Sequence, residues 1–337
     1  MTAPPTPDRI MTLVRGFMAS RTVLSAVELG LFGALAEGSQ TAGELRERLG
    51  LHPRAARDFF DALVALGMLR RTDDRYHNTP ETAAFLDPAR PSYLGGLAEM
   101  AGVRSYRFWG SLTEALRTGE PQNESGNGGP DFFQALYADP DRLRQFAAAM
   151  SGASLAPAMV VAELFDWSGV DTFCDLGTAR GTLPVQVALR HPHLRGVGFD
   201  LPPLRPVFSE FVAARGLADR VRFAGGDFFT DPLPPAGVYV LGRVLHDWGL
   251  AAKRHLLKRV YEALPAGGSV IVYDMLIDDD RRTHAAGLLM SLNMLIETAD
   301  GFDYTGADCQ GWLAEAGFRP GPVQPLLGPD SMVVGVK

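Results

Sequence analysis

Cysteine is scarce in this chain of 337 residues: only Cys174 and Cys309 occur, far apart and with no Cys-x-x-Cys pair. One sits in a strand-like run and the other in a helix-like run, so both read as buried thiols in a reducing cytoplasm rather than as a disulfide framework. No Lys/Arg block is present and the formal net charge is −7. That disfavours a sequence-independent hold on nucleic-acid phosphates and points to a small-molecule partner. No apolar run approaches the roughly 18 to 20 residues of a membrane span. Met1 to Asp8, rich in Pro and Thr, lacks the charged region and apolar core of a signal peptide. What is present is the balance of a globular protein, 46% hydrophobic with 21% charged residues, at a length suited to two domains.

From Ile10 to about Leu35 the residues Leu13, Phe17, Val23, Leu24, Val27, Leu29, Leu31 and Phe32 recur at helical spacing. Thr41 and Glu44 stand in capping-box positions for a short helix ending near Gly50, and a further helix starts at Pro53 and stops at Gly67. Met68 to Asn78 reads as strand, acidic turn and strand. Three helices and a hairpin suggest a winged helix. Its would-be recognition helix offers Arg54 and Arg57 against Asp58 and Asp61 on a largely apolar surface, which favours dimerisation over DNA reading.

Residues 91–168 read as a helical linker, interrupted by an exposed loop over Asn123 to Pro130 and carrying an apolar stripe of Phe132, Phe133, Leu136, Phe146 and Met150. From residue 169 onward strands and helices alternate, the mark of a parallel, doubly wound sheet. Strands are expected at Thr172 to Leu176, Gly196 to Phe199, Val221 to Ala224, Val238 to Leu241 and Ser269 to Tyr273, with a final hairpin over Val323 to Leu327 and Met332 to Val336. The expected segments are therefore 1–90, 91–168 and 169–337.

Asp175, Asp200, Asp227, the segment Arg243 to His246, and Asp274 stand at the ends of the five strands. In a doubly wound sheet those ends share the edge where ligands bind. Gly177 and Gly181 let a backbone approach a ligand under a helix N-terminus. Asp200 can accept from a ribose diol, as it would in a dinucleotide enzyme too. Asp227 beside Phe228 offers an acceptor and an aromatic face to an adenine.

The residues resemble the class I S-adenosylmethionine-dependent small-molecule O-methyltransferases of plant phenolic and bacterial polyketide pathways. The resemblance covers nearly the whole chain and is carried by Val244-Leu245-His246-Asp247-Trp248, Ala263-Leu264-Pro265-Ala266-Gly267-Gly268, Gly226-Asp227-Phe228-Phe229 and Phe199-Asp200-Leu201-Pro202. It implies a Rossmann-like α/β domain behind a winged-helix dimerisation domain, S-adenosylmethionine as cofactor with S-adenosylhomocysteine as product, and a homodimer. His246 is by resemblance the general base, oriented by Asp274 and Asp308. Asp175, Gly177, Gly181, Asp200, Leu201, Gly226, Asp227, Phe228 and Arg243 are the implied cofactor contacts. Met150, Trp109, Met290, Asn293 and Met294 are the implied walls for a small, aromatic hydroxyl acceptor.

Three departures stand out. Gly177-Thr178-Ala179 replaces three consecutive glycines, Gly242 stands where relatives often have Lys or Arg, and Asp300 to Thr305 replaces a Gly-Gly-x-x-Arg-Thr segment. No metal is implied, since Asp278-Asp279-Asp280 reads as a solvated turn. The alternatives are carbon or nitrogen methylation, a relative that has lost transfer, or a winged-helix regulator that senses the methyl donor.

Overall fold

Gly30, at φ 71°, divides the first apolar-periodic stretch into helices Asp8–Glu28 and Leu31–Ala36. The computed structural model describes residues 4–90, 92–124, 136–137 and 139–337. The chain forms two compact units, residues 1–107 and 108–337. In the first, Thr41 and Glu44 close the expected capping box on helix Ala42–Arg48, and helix Pro53–Ala65 begins with its proline. Strands β1 (Gln40–Thr41), β2 (Leu69–Thr72) and β3 (Arg75–Asn78) pair antiparallel in the order β1-β3-β2, which makes the wing. Phe32, Leu45, Phe60, Leu63, Leu69 and Tyr76 form the core of this unit.

The long first helix leaves Ile10, Leu13, Val14, Phe17 and Met18 between 55% and 74% exposed. Asp8–Glu28 and Arg142–Leu164 also reach the length and mean hydropathy of a membrane span, 1.2 and 1.4 over their apolar windows. That corrects the expectation that no apolar stretch comes near one: isolated charges interrupt the runs without much lowering the average.

The second unit is built on β4 (Thr172–Leu176), β5 (Arg195–Asp200), β6 (Val221–Gly225), β7 (Val238–Gly242), β8 (Ser269–Asp274), β9 (Arg319–Pro320), β10 (Gln324–Pro325) and β11 (Ser331–Val336). The order is β10-β11-β8-β7-β4-β5-β6, with β4 to β8 parallel and β11 antiparallel to β8. Alternate residues face opposite sides because side chains repeat every two residues along a strand. Tyr239 and Leu241 pack with Leu256, Leu257, Val260 and Leu313 on one side. Val238 and Val240 pack with Val161, Trp167, Leu183 and Val187 on the other. Each such large side chain, once buried, stabilises the sheet by about 1.5–3 kcal/mol relative to exposure.

The register ranks Ala224, Phe199, Leu176, Leu241 and Val272 across the five parallel strands. Asp200, Asp227, the Arg243–His246 segment and Asp274 therefore emerge together just beyond one edge, and strand order reverses there between β4 and β7. Residues 125–130 of the expected loop, and Phe132 and Phe133 of the expected stripe, lie outside the described residues. Leu136 and Phe146 pack with Leu143, Ala147 and Leu204.

Candidate active site

The loop after β4 runs through Gly177 (φ 72°), Ala179 (φ 48°) and Gly181 (φ 91°) into helix Thr182–Arg190. At Gly177 and Gly181 a side chain would meet Val244 Cγ2 and Phe208 Cε2, both at 2.7 Å. These glycines serve the turn and its packing as well as any ligand. Ala179 adopts the left-handed conformation with a Cβ, a strain of about 1–2 kcal/mol. Its N–H donates to Asp200 Oδ2 at 2.8 Å, while Leu201 N–H donates to Asp200 Oδ1 at 2.8 Å and the Tyr137 hydroxyl reaches that oxygen at 3.4 Å. Asp200 thus locks the loop onto the end of β5.

Burial raises Asp200 to about 6 against those backbone donors, and raises Asp175 to about 7. Buried polar atoms without a partner sit on the same loop, Arg180 Nε and Thr182 Oγ1. A cradle with orphaned donors and a carboxylate floor fits a polar, nucleoside-bearing ligand. The Arg180 guanidinium itself stacks over the Phe211 ring, 4.2 Å from its centroid.

Gly226 donates its N–H to the Asp200 carbonyl, and a Cβ there would press on Phe199 at 2.7 Å. Asp227 accepts from Phe229 N–H at 2.8 Å and keeps acceptor capacity on its second oxygen. Beside it Phe228 packs edge-on to Phe229 and Trp248, with centroids 4.8 and 6.0 Å apart.

Arg243, an expected cofactor contact, also pairs within the protein. Its backbone takes φ 56°, and Nη2 contacts both Asp330 oxygens at 2.8 Å, in a buried pair with the loop between β10 and β11. Nη2 thereby helps close the sheet, while Nε is buried without a hydrogen-bond partner.

His246 lies on the 3-10 turn Leu245–Asp247 that follows β7 and is 8% exposed. Nδ1 is 3.3 Å from Asp303 Oδ1 and 3.9 Å from Asp274 Oδ1, and Nε2 is 3.5 Å from Asp247 Oδ1. Burial by itself disfavours the imidazolium, but Asp274, Asp247 and Asp303 outweigh it and hold the imidazole's proton affinity well above the ordinary value. Asp274, fully buried, accepts from the Tyr304 hydroxyl. Burial raises its carboxyl to about 7, although His246 pulls it down.

Asp308 is not the second orienting acid. Its carboxylate accepts from Thr305 N–H at 3.0 Å and Thr305 Oγ1 at 2.9 Å in the capping box of helix Gly306–Ala316. Asp303, five residues earlier, takes the place beside the imidazole. Sequence alone missed Asp303, Tyr304 and the contact from Asp247. The available signal was that the acid before a capping box, rather than the acid within it, is free for other work. The acid run is also not merely solvated: Asp278 accepts from the N–H groups of Arg282, Thr283 and His284, and Asp279 from Ala307 N–H.

Of the expected acceptor walls, Trp109 and Asn293 are joined by an Nε1–H to Oδ1 bond of 2.9 Å. Met290, Asn293 and Met294 lie on helix Ala285–Glu297, Met294 buried and Met290 half-buried. Met150 is half-buried one turn beyond Phe146 on helix Pro140–Leu164.

A parallel sheet of this topology holds its ligand at the carboxyl edge. Here that edge joins the Asp200-anchored loop to an imidazole ringed by carboxylates. Residues 109–319 match the O-methyltransferase domain family and residues 11–88 the O-methyltransferase dimerisation domain family, so the chain belongs to the O-methyltransferase family. It is 47% identical over 332 residues to the tetracenomycin polyketide synthesis 8-O-methyl transferase TcmO of Streptomyces glaucescens, covering 98% of this chain and 97% of that one. It is 42% identical to the N,N-dimethyltransferase OxyT of Streptomyces rimosus, over 97% of this chain and 96% of the relative. The fold is similar to that of human N-acetylserotonin methyltransferase in complex with SAM, with a TM-score of 0.92, 30% identity, and 100% and 99% of the two chains covered.

Proposed function

We propose that this protein transfers a methyl group from S-adenosylmethionine to a hydroxyl of a small aromatic, polyketide-like acceptor, with His246 as the proton acceptor. The observation that carries this reading is the imidazole held among Asp303, Asp274 and Asp247 at the same sheet edge as the Asp200 cradle. When bound, the cofactor supplies a methyl group already activated by its sulfonium. Asp175, Asp200, Leu201, Asp227 and Phe228 would hold its nucleoside, and the 177–182 loop its remaining polar groups. Nδ1 lies on the side of Asp303 and Asp274, and Nε2, beside Asp247, takes the proton from the acceptor hydroxyl. The three carboxylates then stabilise the imidazolium.

This arrangement favours oxygen over nitrogen as the acceptor atom, despite the likeness to an N,N-dimethyltransferase. A neutral amine attacks through its own lone pair, whereas a hydroxyl gains most of its nucleophilicity by losing its proton. In the same reading Met150, Trp109, Met290, Asn293 and Met294 bound the acceptor. Residues 1–90 pair two copies into a homodimer through the exposed apolar stripe of helix Asp8–Glu28, residues 91–168 contribute to the acceptor wall, and residues 169–337 bind the cofactor in a cytoplasmic enzyme.

The test is methyl transfer from radiolabelled S-adenosylmethionine to a panel of phenols and aryl amines, comparing wild type with His246→Gln. Loss of at least about 100-fold on phenols, with S-adenosylhomocysteine binding retained, is the expected result. Full turnover by the variant would end the reading.

A further inference from the structure

Only three of the 32 lysines and arginines are lysines: Lys253, Lys258 and Lys337. Lys253 is 0% exposed. It lies in the first turn of helix Leu250–Ala263, where the positive end of the helix dipole disfavours a cation. Neither helix stability nor solvation accounts for it, so its partners must. Nζ donates to the Trp248 carbonyl at 2.6 Å and to the Phe302 carbonyl at 2.8 Å. Its third direction is filled by the face of Phe302, 3.3 Å from the ring centroid, with Tyr304 and Trp312 at 5.4 and 5.7 Å.

The two carbonyls belong to different segments. Trp248 is two residues past His246, and Phe302 immediately precedes Asp303. Nearby contacts lay the segments together: Gly249 N–H donates to Asp300 Oδ1 at 3.0 Å, and Gly301 comes so close that a Cβ would lie 2.7 Å from the Asp247 carbonyl oxygen. We propose that Lys253 is a positioning residue whose buried ammonium clamps the His246 turn to the Phe302–Asp303 segment and so sets the pairing of the imidazole with Asp303.

The inference rests on the reading of His246 as proton acceptor. Burial lowers the proton affinity of Lys253 to about 8, and the surrounding carboxylates Asp274, Asp303, Asp247 and Asp300 offset only part of that loss. On its own helix Arg254 faces outward in a pair with Glu315, and His255 stacks on Phe229. Nζ contacts backbone rather than imidazole. The dominant effect of losing it is therefore a looser His246–Asp303 contact at 3.3 Å, rather than the removal of a distant charge.

The experiment follows the His246 resonance by NMR in protein labelled with carbon-13 at histidine, assigned with His246→Gln, and needs no acceptor. Binding of S-adenosylhomocysteine by calorimetry reports folding. Lys253→Met should lower the His246 titration midpoint by about one pH unit. In an Asp303→Asn background the same substitution should move it no further. An upward shift, an equal shift in both backgrounds, or no shift overturns the clamp. If Lys253→Met does not bind S-adenosylhomocysteine, Lys253→Arg supplies the complementary reading. It keeps the donors, so a wild-type midpoint supports the proposal and a lowered one overturns it. Failure of His246 as base would appear separately, as turnover by His246→Gln with the NMR coupling intact.

Discussion

Asp303→Asn isolates the contact on which the proposed chemistry depends. The substitution preserves size and removes one charge 3.3 Å from His246 Nδ1. Two unit charges at that separation attract by about 5 kcal/mol at an effective dielectric near 20. The desolvation of both partners offsets part of this, and opposite charges at such range usually shift a titration by about 1–3 units, each worth about 1.36 kcal/mol. The sign is fixed: with a carboxylate gone, the imidazolium is less stabilised and His246 gives up its proton at lower pH. In wild type the rate should climb above neutrality as His246 becomes neutral. In Asp303→Asn the ascending limb of kcat/KM should move to lower pH by about 1–3 units. Its plateau should be lower, because a weaker base accepts the hydroxyl proton less readily. The assay is kcat/KM against pH from 5 to 10 with a phenolic acceptor. An unmoved limb, or one displaced to higher pH, would refute the role given to Asp303.

Further expectations follow from the same geometry. Ala179→Gly removes a Cβ from φ 48° and should raise thermal stability slightly, by at most about 1 kcal/mol, because glycine's added unfolded-state freedom offsets part of the strain relieved. Asp330→Ala leaves the Arg243 guanidinium buried without its carboxylate and should cost about 3–5 kcal/mol in a denaturation curve; a change under ~1 kcal/mol would contradict the structural role of the pair. Phe17→Glu, placed in the exposed stripe, should convert the dimer to monomer in sedimentation, and an unchanged mass would remove that stripe from the interface. Asp175 is raised to about 7 from an ordinary value of 3.8, so its contribution to folding is present at low pH and lost as pH rises from about 4 to 7. His246 is also raised, and its contribution is lost as pH climbs above about 6.5 toward the higher folded-state value. The cofactor-free protein should therefore melt at lower temperature at pH 9 than at pH 5.5 in calorimetry.

The parts of the site that local sequence determined are those fixed within one strand and the turn after it. Asp175, Asp200, Asp227, His246 and Asp274 were legible because each closes an apolar run, and parallel register carries such ends to one edge regardless of what intervenes. The winged-helix core and the Thr41 cap were legible for the same reason, since a cap reads its own third residue. Long-range approach decided the rest. Asp308 resembled an orienting acid by position, but its nearest donors were those of its own helix end, and the capping box claimed it. Asp303 reached His246 because the 300–305 segment folds back on a turn more than 50 residues earlier, held by Asp300, Gly301 and the ammonium of Lys253. Arg243 turned to Asp330 because a left-handed backbone angle aims it across the sheet to a loop 87 residues later. Periodicity and caps act over a few residues. Which buried charges meet depends on how the segments between them pack, and only the tertiary structure supplied that.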